Sequence, residues 1–316
     1  MRVVVTGAAG FVAPYFVRAL RKAAPNAEVL GCARHSQDCG ADLALDITDA
    51  AAARELVEKV QPTHVMHLAG MSAPPDASAD PKTAWAVNVF GAMNVARAIL
   101  QRAPDCVFML AGSGEVYGSS ANEHLPLRED AVLRPANEYA VTKAAADLAI
   151  GALTASGLRS IRFRPFNHIG PGQIEKYALS SFAAQIARIE VDLQPPVVRV
   201  GNLDVERDFL DVRDVADAYV KATMRSEQIP AGSIFNIASG TPRRVLDLLN
   251  QMVAMSSASI SIEQDPLRVR SAEIPKIYGD ASRARKALNW LPVCVFNETI
   301  GNLLSSWRRV IRAELD

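Results

Sequence analysis

Val3-Val4-Val5-Thr6-Gly7-Ala8-Ala9-Gly10-Phe11-Val12-Ala13 is the stretch on which the fold turns. Three β-branched residues in a row suit a strand buried on both faces. The run ends in a glycine turn, and a helical pattern follows with Phe16, Val17 and Leu20 on one face. Glycines between a strand and a helix let the backbone approach a pyrophosphate, which then rests on the helix N-terminus. A small third residue, here Ala13, lets the helix pack closely on the strand. Glycine patterns also occur in ordinary turns. The position of this one, after a strand and opening a helix, favours dinucleotide binding, with Gly7, Gly10, Phe11 and Val12 as cofactor contacts.

Working outward, Glu28 to Ala33 reads as the second strand. An acidic residue normally ends this strand when the ribose carries a free 2′-OH. Arg34-His35 stands there instead. A cation suits a 2′-phosphate, so NADP is expected and NAD is possible; a solvated loop arginine gives the same sequence. Asp42 to Asp46 reads as a third strand, with Asp46 and Ile47 placed to flank an adenine. A helix over Ala51 to Val60, a strand over Thr63 to Leu68, a helix over Thr83 to Leu100 carrying Asn88, and a strand over Cys106 to Leu110 follow. This alternation predicts an α/β fold, a doubly wound parallel sheet of Rossmann-like type, with ligands at the carboxyl ends of the strands. After a further strand at Ile161 to Phe166 the rhythm weakens and prolines recur. Residues 1–165 are therefore expected to form the dinucleotide-binding domain, with a return segment near 205–240 that brings Phe235-Asn236-Ile237-Ala238 to the sheet edge. Residues 166–204 and 241–316 are expected to form a smaller α/β substrate-binding part.

Chemistry is expected where the strand from Cys106 runs into Ala111-Gly112-Ser113-Gly114-Glu115. Downstream, Tyr139-Ala-Val-Thr-Lys143 enters an Ala-rich, helix-favouring stretch. Residues four apart share a helix face, so phenol and ammonium can point to one place. A free tyrosine has a pKa of about 10, and a neighbouring cation favours the phenolate. On an exposed helix the same pair is only a solvated face. With Ser113 it becomes a hydroxyl, a tuned phenol and a cation, able to move a proton at an oxygen while a nicotinamide moves hydride at the attached carbon.

The 34 basic and 34 acidic side chains cancel, so no global attraction to nucleic acid or anionic membrane is expected. No apolar run reaches the roughly 18 residues that span a bilayer, and no signal peptide is read at the start. Cys32, Cys39, Cys106 and Cys294 form no CxxC pair, and the 5 histidines complete no metal-ligand spacing. A cytoplasmic protein with free thiols and no metal is the natural expectation.

Taken together, Thr6-Gly7-Ala8-Ala9-Gly10-Phe11-Val12, Asp46-Ile47, His67-Leu68-Ala69, Asn88-Val89-Phe90-Gly91, Ser113, Tyr139-Ala-Val-Thr-Lys143 and Arg164-Pro165-Phe166-Asn167 resemble the extended short-chain dehydrogenase/reductase family of nucleotide-sugar enzymes. The resemblance implies an NAD(P) fold with Leu68, Ala69 and Asn88 on the cofactor side. It implies a triad of Ser113, Tyr139 and Lys143, with Lys143 also holding the nicotinamide ribose. Arg164 to Gln173, Val200 to Asp204, Arg207 to Asp214 and Arg270 to Pro275 look like the GDP-sugar branch. By that likeness Asn167 and Arg207 meet the diphosphate of a GDP-sugar substrate and Glu273 binds the nucleoside side. Arg207 and Arg270 also suit phosphate by their guanidinium geometry. The branch holds 4-ketosugar reductases and 4,6-dehydratases. A dehydratase needs a carboxylate at Glu115, which is present. It also usually carries a second arginine and a long insert between Arg34 and Asp46, which are absent. Gly114 stands where Ser or Thr is often found. The expected reaction is reduction of the 4-keto group of GDP-4-keto-6-deoxy-D-mannose to GDP-D-rhamnose; the alternatives are a GDP-mannose 4,6-dehydratase and a nucleotide-sugar 4-epimerase. The helices beginning near Thr83 and Glu138 carry apolar residues on more than one side, and such helices commonly pair in a family homodimer.

Overall fold

The computed structural model describes residues 1–35, 41–269 and 274–315. Seven strands build the main sheet: β1 (Arg2–Thr6), β2 (Glu28–Ala33), β3 (Leu43–Ala44), β4 (His64–His67), β5 (Val107–Ala111), β6 (Ser160–Pro165) and β10 (Ser233–Ile237). Their order is β10-β6-β5-β4-β1-β2-β3, and every pairing is parallel. The chain leaves β1 toward β2 and β3, then returns to the other side of β1 as β4. A crevice opens at the carboxyl ends of β1 and β4, where the winding reverses and a ligand is expected.

Alternation along β1 divides the core. Val3 and Val5 face α1 (Ala13–Ala23) and α8 (Val212–Met224), among Phe16, Leu20, Met109, Phe163 and Tyr219. Val4 faces the opposite layer, among Val57 of α2 (Ala50–Val60), Ile99 of α5 (Ala92–Arg102) and Ile150 of α6 (Glu138–Ala155). Each side chain of this size contributes about 1.5–3 kcal/mol when fully buried.

The helix expected from Thr83 to Leu100 is present, running without interruption from Pro81 to Arg102 with a π-helical turn inside it. Short α3 (Pro74–Ala79) and α4 (Pro81–Trp85) lead into a π-helical turn, Ala86–Gly91, before α5 begins. Such turns re-aim side chains and recur at functional sites. Here the turn buries Asn88.

A second set of strands carries the rest. β7 (Asn167–Ile169), β9 (Glu206–Asp211), β11 (Pro242–Arg244) and β13 (Lys276–Ile277) form one small sheet, and β8 (Val197–Val200) pairs β12 (Ser261–Gln264). Their core joins Phe182 of α7 (Ala178–Ile189), Leu249 of α9 (Val245–Ala254) and Leu303 of α11 (Phe296–Ala313). The expected return segment divides. β9 belongs to the small sheet, whereas α8 and β10 belong to the large unit. So do α10 (Ser282–Leu288) and Trp290, whose buried side chains join the β1 core although they lie beyond residue 241. The segment Arg207 to Asp214 fastens these pieces. Asp208 accepts from Ser239 and Gly240 N–H at 2.9 Å each, Asp211 caps α8 and accepts from Thr299 Oγ1 at 2.8 Å, and Asp214 accepts from Val293 N at 2.9 Å.

Candidate active site

A cleft of about 2100 Å³ runs between the two units. Its walls include Gly7, Gly10, Phe11, Val12, Leu68, Ser113, Glu115, Tyr139, Lys143, Asn167 and Arg207. Arg34, Asp46, Ile47, Ala69 and Asn88 stand behind or beyond these walls.

At one end is the glycine turn. Gly7 has φ +70, and a Cβ there would lie 2.6 Å from Ala69 N, so only glycine lets the β1 and β4 turns close on each other. The α1 N-terminus is left open: Val12 makes no side-chain cap, and its first turn holds no acidic residue. By contrast α2, α6 and α8 are capped by Asp49, Asn137 and Asp211. An uncapped, glycine-lined helix start facing a cleft fits a pyrophosphate, because its N–H groups lack partners and its dipole favours an anion. Arg34 is exposed and sits 3.9 Å from the Asp46 carboxylate. That carboxylate is also held by Thr48 N at 2.9 Å and Thr48 Oγ1 at 2.7 Å. Ile47 turns its side chain into the core, where a Cβ on Gly91 would meet it at 2.6 Å, so the adenine flank expected from Ile47 is open only to its backbone. Asn88 is a brace. It accepts from Met71 N at 2.7 Å and donates to Met71 O at 3.1 Å and Thr142 Oγ1 at 2.9 Å, fixing the loop after β4 to the helix that carries Tyr139.

At the centre, Ser113, Tyr139 and Lys143 converge and all are buried. Ser113 lies two residues beyond β5 and caps the following 3-10 turn, accepting from Glu115 N at 3.1 Å. Tyr139 and Lys143 project from the first turns of α6. Lys143 Nζ donates to Ala111 O at 3.0 Å, which leaves two further donor positions for a ribose. The electrostatics correct the sequence expectation. Burial pushes the Tyr139 phenol well above its ordinary range, the Ser113 hydroxyl opposes this, and Tyr177 and Glu115 add to it; Lys143 is not among the causes. Burial instead lowers Lys143 itself to about 8. Before ligands bind, the phenol therefore keeps its proton.

At the far end, Asn167 is exposed into the cleft beside Arg207. The Arg207 guanidinium donates to Glu206 O at 3.0 Å. Arg270 and Glu273 lie outside the described residues. Arg164, from the same motif as Asn167, is fully buried and forks onto Asp147 at 3.0 and 3.1 Å, tying β6 to α6 behind the site. Phe166, part of the Arg164 to Asn167 motif but given no role from sequence, presses on Gly114. Two further cleft residues, Tyr177 and Ser72, join across the cleft at 2.7 Å. Nothing in their local sequence marks them.

A profile of the NAD dependent epimerase/dehydratase family matches residues 3–238. GDP-6-deoxy-D-mannose reductase of Pseudomonas aeruginosa is 36% identical over 254 residues, 80% of this chain and 83% of that protein. GDP-mannose 4,6 dehydratase 2 of Arabidopsis thaliana is 28% identical over 269 residues, 81% of this chain and 68% of its own. The structure of RMD from Pseudomonas aeruginosa complexed with NADPH superposes with a TM-score of 0.86 at 32% identity, covering 98% of this chain and 99% of that one. The cofactor cradle, the buried triad and these likenesses agree: the chain belongs to the NAD dependent epimerase/dehydratase family, the extended short-chain dehydrogenase/reductases, as a nicotinamide-dependent oxidoreductase of nucleotide sugars.

Proposed function

We propose that the enzyme uses NADPH to reduce the 4-keto group of GDP-4-keto-6-deoxy-D-mannose, giving GDP-D-rhamnose. The observation that carries this reading is the buried phenol of Tyr139 beside Ser113 in the cleft, placed to give a proton to a carbonyl oxygen. Reduction of a ketone creates an alkoxide and needs a proton donor. Dehydration and epimerisation begin by oxidising the sugar and need a base in the same place. The reductase relative supports the same choice.

When bound, the nicotinamide supplies the hydride. Ser113 donates to the keto oxygen and holds it against Tyr139. Tyr139 gives its proton to the oxygen as negative charge develops there. Lys143, fixed by Ala111 O, holds the cofactor ribose. Gly7, Gly10 and the α1 N-terminus hold the pyrophosphate, and Arg34 meets the 2′-phosphate. Asn167 and Arg207 meet the substrate diphosphate. A homodimer built on the α5 and α6 faces and a cytoplasmic location, consistent with the free thiols Cys32 and Cys106, complete the proposal.

A second reading, the 4,6-dehydratase, is favoured by one observation: Glu115 lines the cleft two residues beyond Ser113. One pair of assays separates the two. Wild type incubated with the keto sugar and NADPH should lose nicotinamide absorbance and form a product whose C4 configuration NMR identifies. Glu115→Gln should keep this activity within about tenfold. Conversion of GDP-mannose without net cofactor consumption, together with its collapse in Glu115→Gln, would replace the reductase by the dehydratase.

A further inference from the structure

The segment 171–177 spans the cleft mouth and is tied at both ends. On the cofactor side Tyr15 donates from its hydroxyl to Pro171 O at 2.7 Å. On the opposite side Lys176 Nζ reaches both carboxylate oxygens of Asp76, at 2.9 and 2.7 Å. Between these anchors and the catalytic centre, the Tyr177 hydroxyl donates to Ser72 Oγ at 2.7 Å. Both side chains line the cleft. The loop that carries Ser72 also packs on the catalytic ring, because Met71 and Ala77 lie against Tyr139. The phenol of Tyr139 senses Tyr177 directly, among the groups that raise its pKa.

We infer that Tyr177 is a substrate-positioning residue whose hydroxyl, paired with Ser72, receives a ring hydroxyl of the pyranose beside the carbon that Tyr139 serves. The inference rests on the reading of this cleft as a sugar-nucleotide site. Tyr177 gives its one proton to Ser72, so its oxygen retains lone pairs able to accept. Ser72 accepts that proton and keeps its own free to donate. The pair therefore presents an acceptor and a donor side by side. A sugar hydroxyl is both donor and acceptor, so it matches the pair in a way that a diphosphate or an apolar group does not. Before a ligand binds Ser72 is exposed and Tyr177 half-buried; a sugar that covers them while lacking that hydroxyl leaves the pair unmatched. The cross-cleft bond has a second effect. It holds the strap near the catalytic ring before substrate arrives, so less ordering remains at binding.

The test compares a sugar nucleotide with its bare nucleotide. Calorimetry with NADP⁺ present would measure GDP-mannose and GDP on wild type, Tyr177→Phe and Lys176→Ala. Tyr177→Phe keeps the ring and removes only the hydroxyl. It should weaken GDP-mannose roughly tenfold, the scale of one hydrogen bond, and leave GDP unchanged. Lys176→Ala loosens the strap without touching the hydroxyl pair, so it should leave the ratio of the two affinities at the wild-type value. An unchanged ratio in Tyr177→Phe would overturn the inference, as would equal weakening of both ligands, since the residue would then serve only the strap. Failure of the substrate reading looks different. Wild type would bind neither GDP ligand, and the same ratio would be taken with UDP-glucose and UDP.

Discussion

Tyr139 lies on the first turn of α6 with its hydroxyl beside Ser113, and burial keeps its proton in place. Deleting that hydroxyl removes the proton donor and leaves the ring that packs against Met71. Tyr139→Phe should lower kcat about a hundredfold or more, the usual scale of general acid catalysis, while NADPH binding measured by fluorescence stays as in wild type. Near-normal turnover would remove Tyr139 from the mechanism. Arg34 sits at the other end of the cofactor path. Its pair with Asp46 is 3.9 Å long and exposed, so it contributes little to stability and leaves the guanidinium available to a phosphate. Arg34→Ala should cost NADPH roughly 1.5–3 kcal/mol, the value of a charge-assisted contact, and leave NADH unaffected. Equal losses for the two cofactors, read from their dissociation constants, would show that Arg34 does not meet the 2′-phosphate.

The turn Ser113-Gly114-Glu115 rests on one aromatic ring. A Cβ on Gly114 would come within 3.1 Å of Phe166 Cγ and Cδ2. Gly279 also lies close to this ring, where a Cβ would meet Cε2 at 2.4 Å, so the ring packs against backbone on more than one side. Gly114 is thus matched to its floor. Gly114→Ser should cost about 1–3 kcal/mol in urea unfolding, as overpacked sites do, and should lower kcat by displacing Ser113. Adding Phe166→Leu should recover part of both; no recovery would show that the ring is not the obstacle. Regular elements were legible because their signals are local. The strand read at Glu28 to Ala33 has those bounds in the structure, since a short apolar run, Val29-Leu30-Gly31-Cys32-Ala33, marks it. The π-helical turn was not legible. The turn Ala86–Gly91 holds a single glycine at its end and no proline, and it is accompanied by bonds from Asn88 to Met71 and Thr142, which are distant in sequence. Tyr177 and Ser72 were hidden for a related reason: their bond spans 105 residues and starts from a segment with no periodicity. Ser113, Tyr139 and Lys143 were legible as a constellation, yet the direction of the Tyr139 shift was not, because it follows burial and Lys143 is not among its causes.

Two properties belong to the molecule as a whole, its response to acid and its assembly. Burial lowers His64 to about 4 and His67 to about 3, whereas an unfolded histidine titrates near 6.5. Below about pH 6.5 the unfolded chain binds protons that the folded one refuses, so these groups contribute stability above that pH and lose it as pH falls toward their folded values. His64→Gln removes one such proton. The slope of unfolding free energy between about pH 5 and 6 should fall by about 1.4 kcal/mol per pH unit, whatever the absolute stability of the variant. An unchanged slope would mean that His64 protonates freely in the folded state. Assembly turns on which apolar residues the sheet leaves uncovered. Val95 of α5 and Ile150 of α6 are buried in the core. Phe90 and Leu148 instead stand 55% and 60% exposed, and Val141 shares the Leu148 face one heptad earlier on α6. Single exposed apolar residues are ordinary on a monomer. Two large ones on neighbouring helical segments, flanked by half-buried Val87 and Met93, favour a helical face that pairs with its own copy across a twofold axis. A stable pairing of this kind buries on the order of 1,600 Å², more than two side chains provide, so both segments must take part. Light scattering at micromolar concentration should give a dimer for wild type and a monomer for Phe90→Glu combined with Leu148→Glu, because each change places a carboxylate opposite its symmetry mate. NADPH should still bind the double variant, since neither residue lines the cleft. A wild-type monomer under these conditions would remove α5 and α6 as an interface.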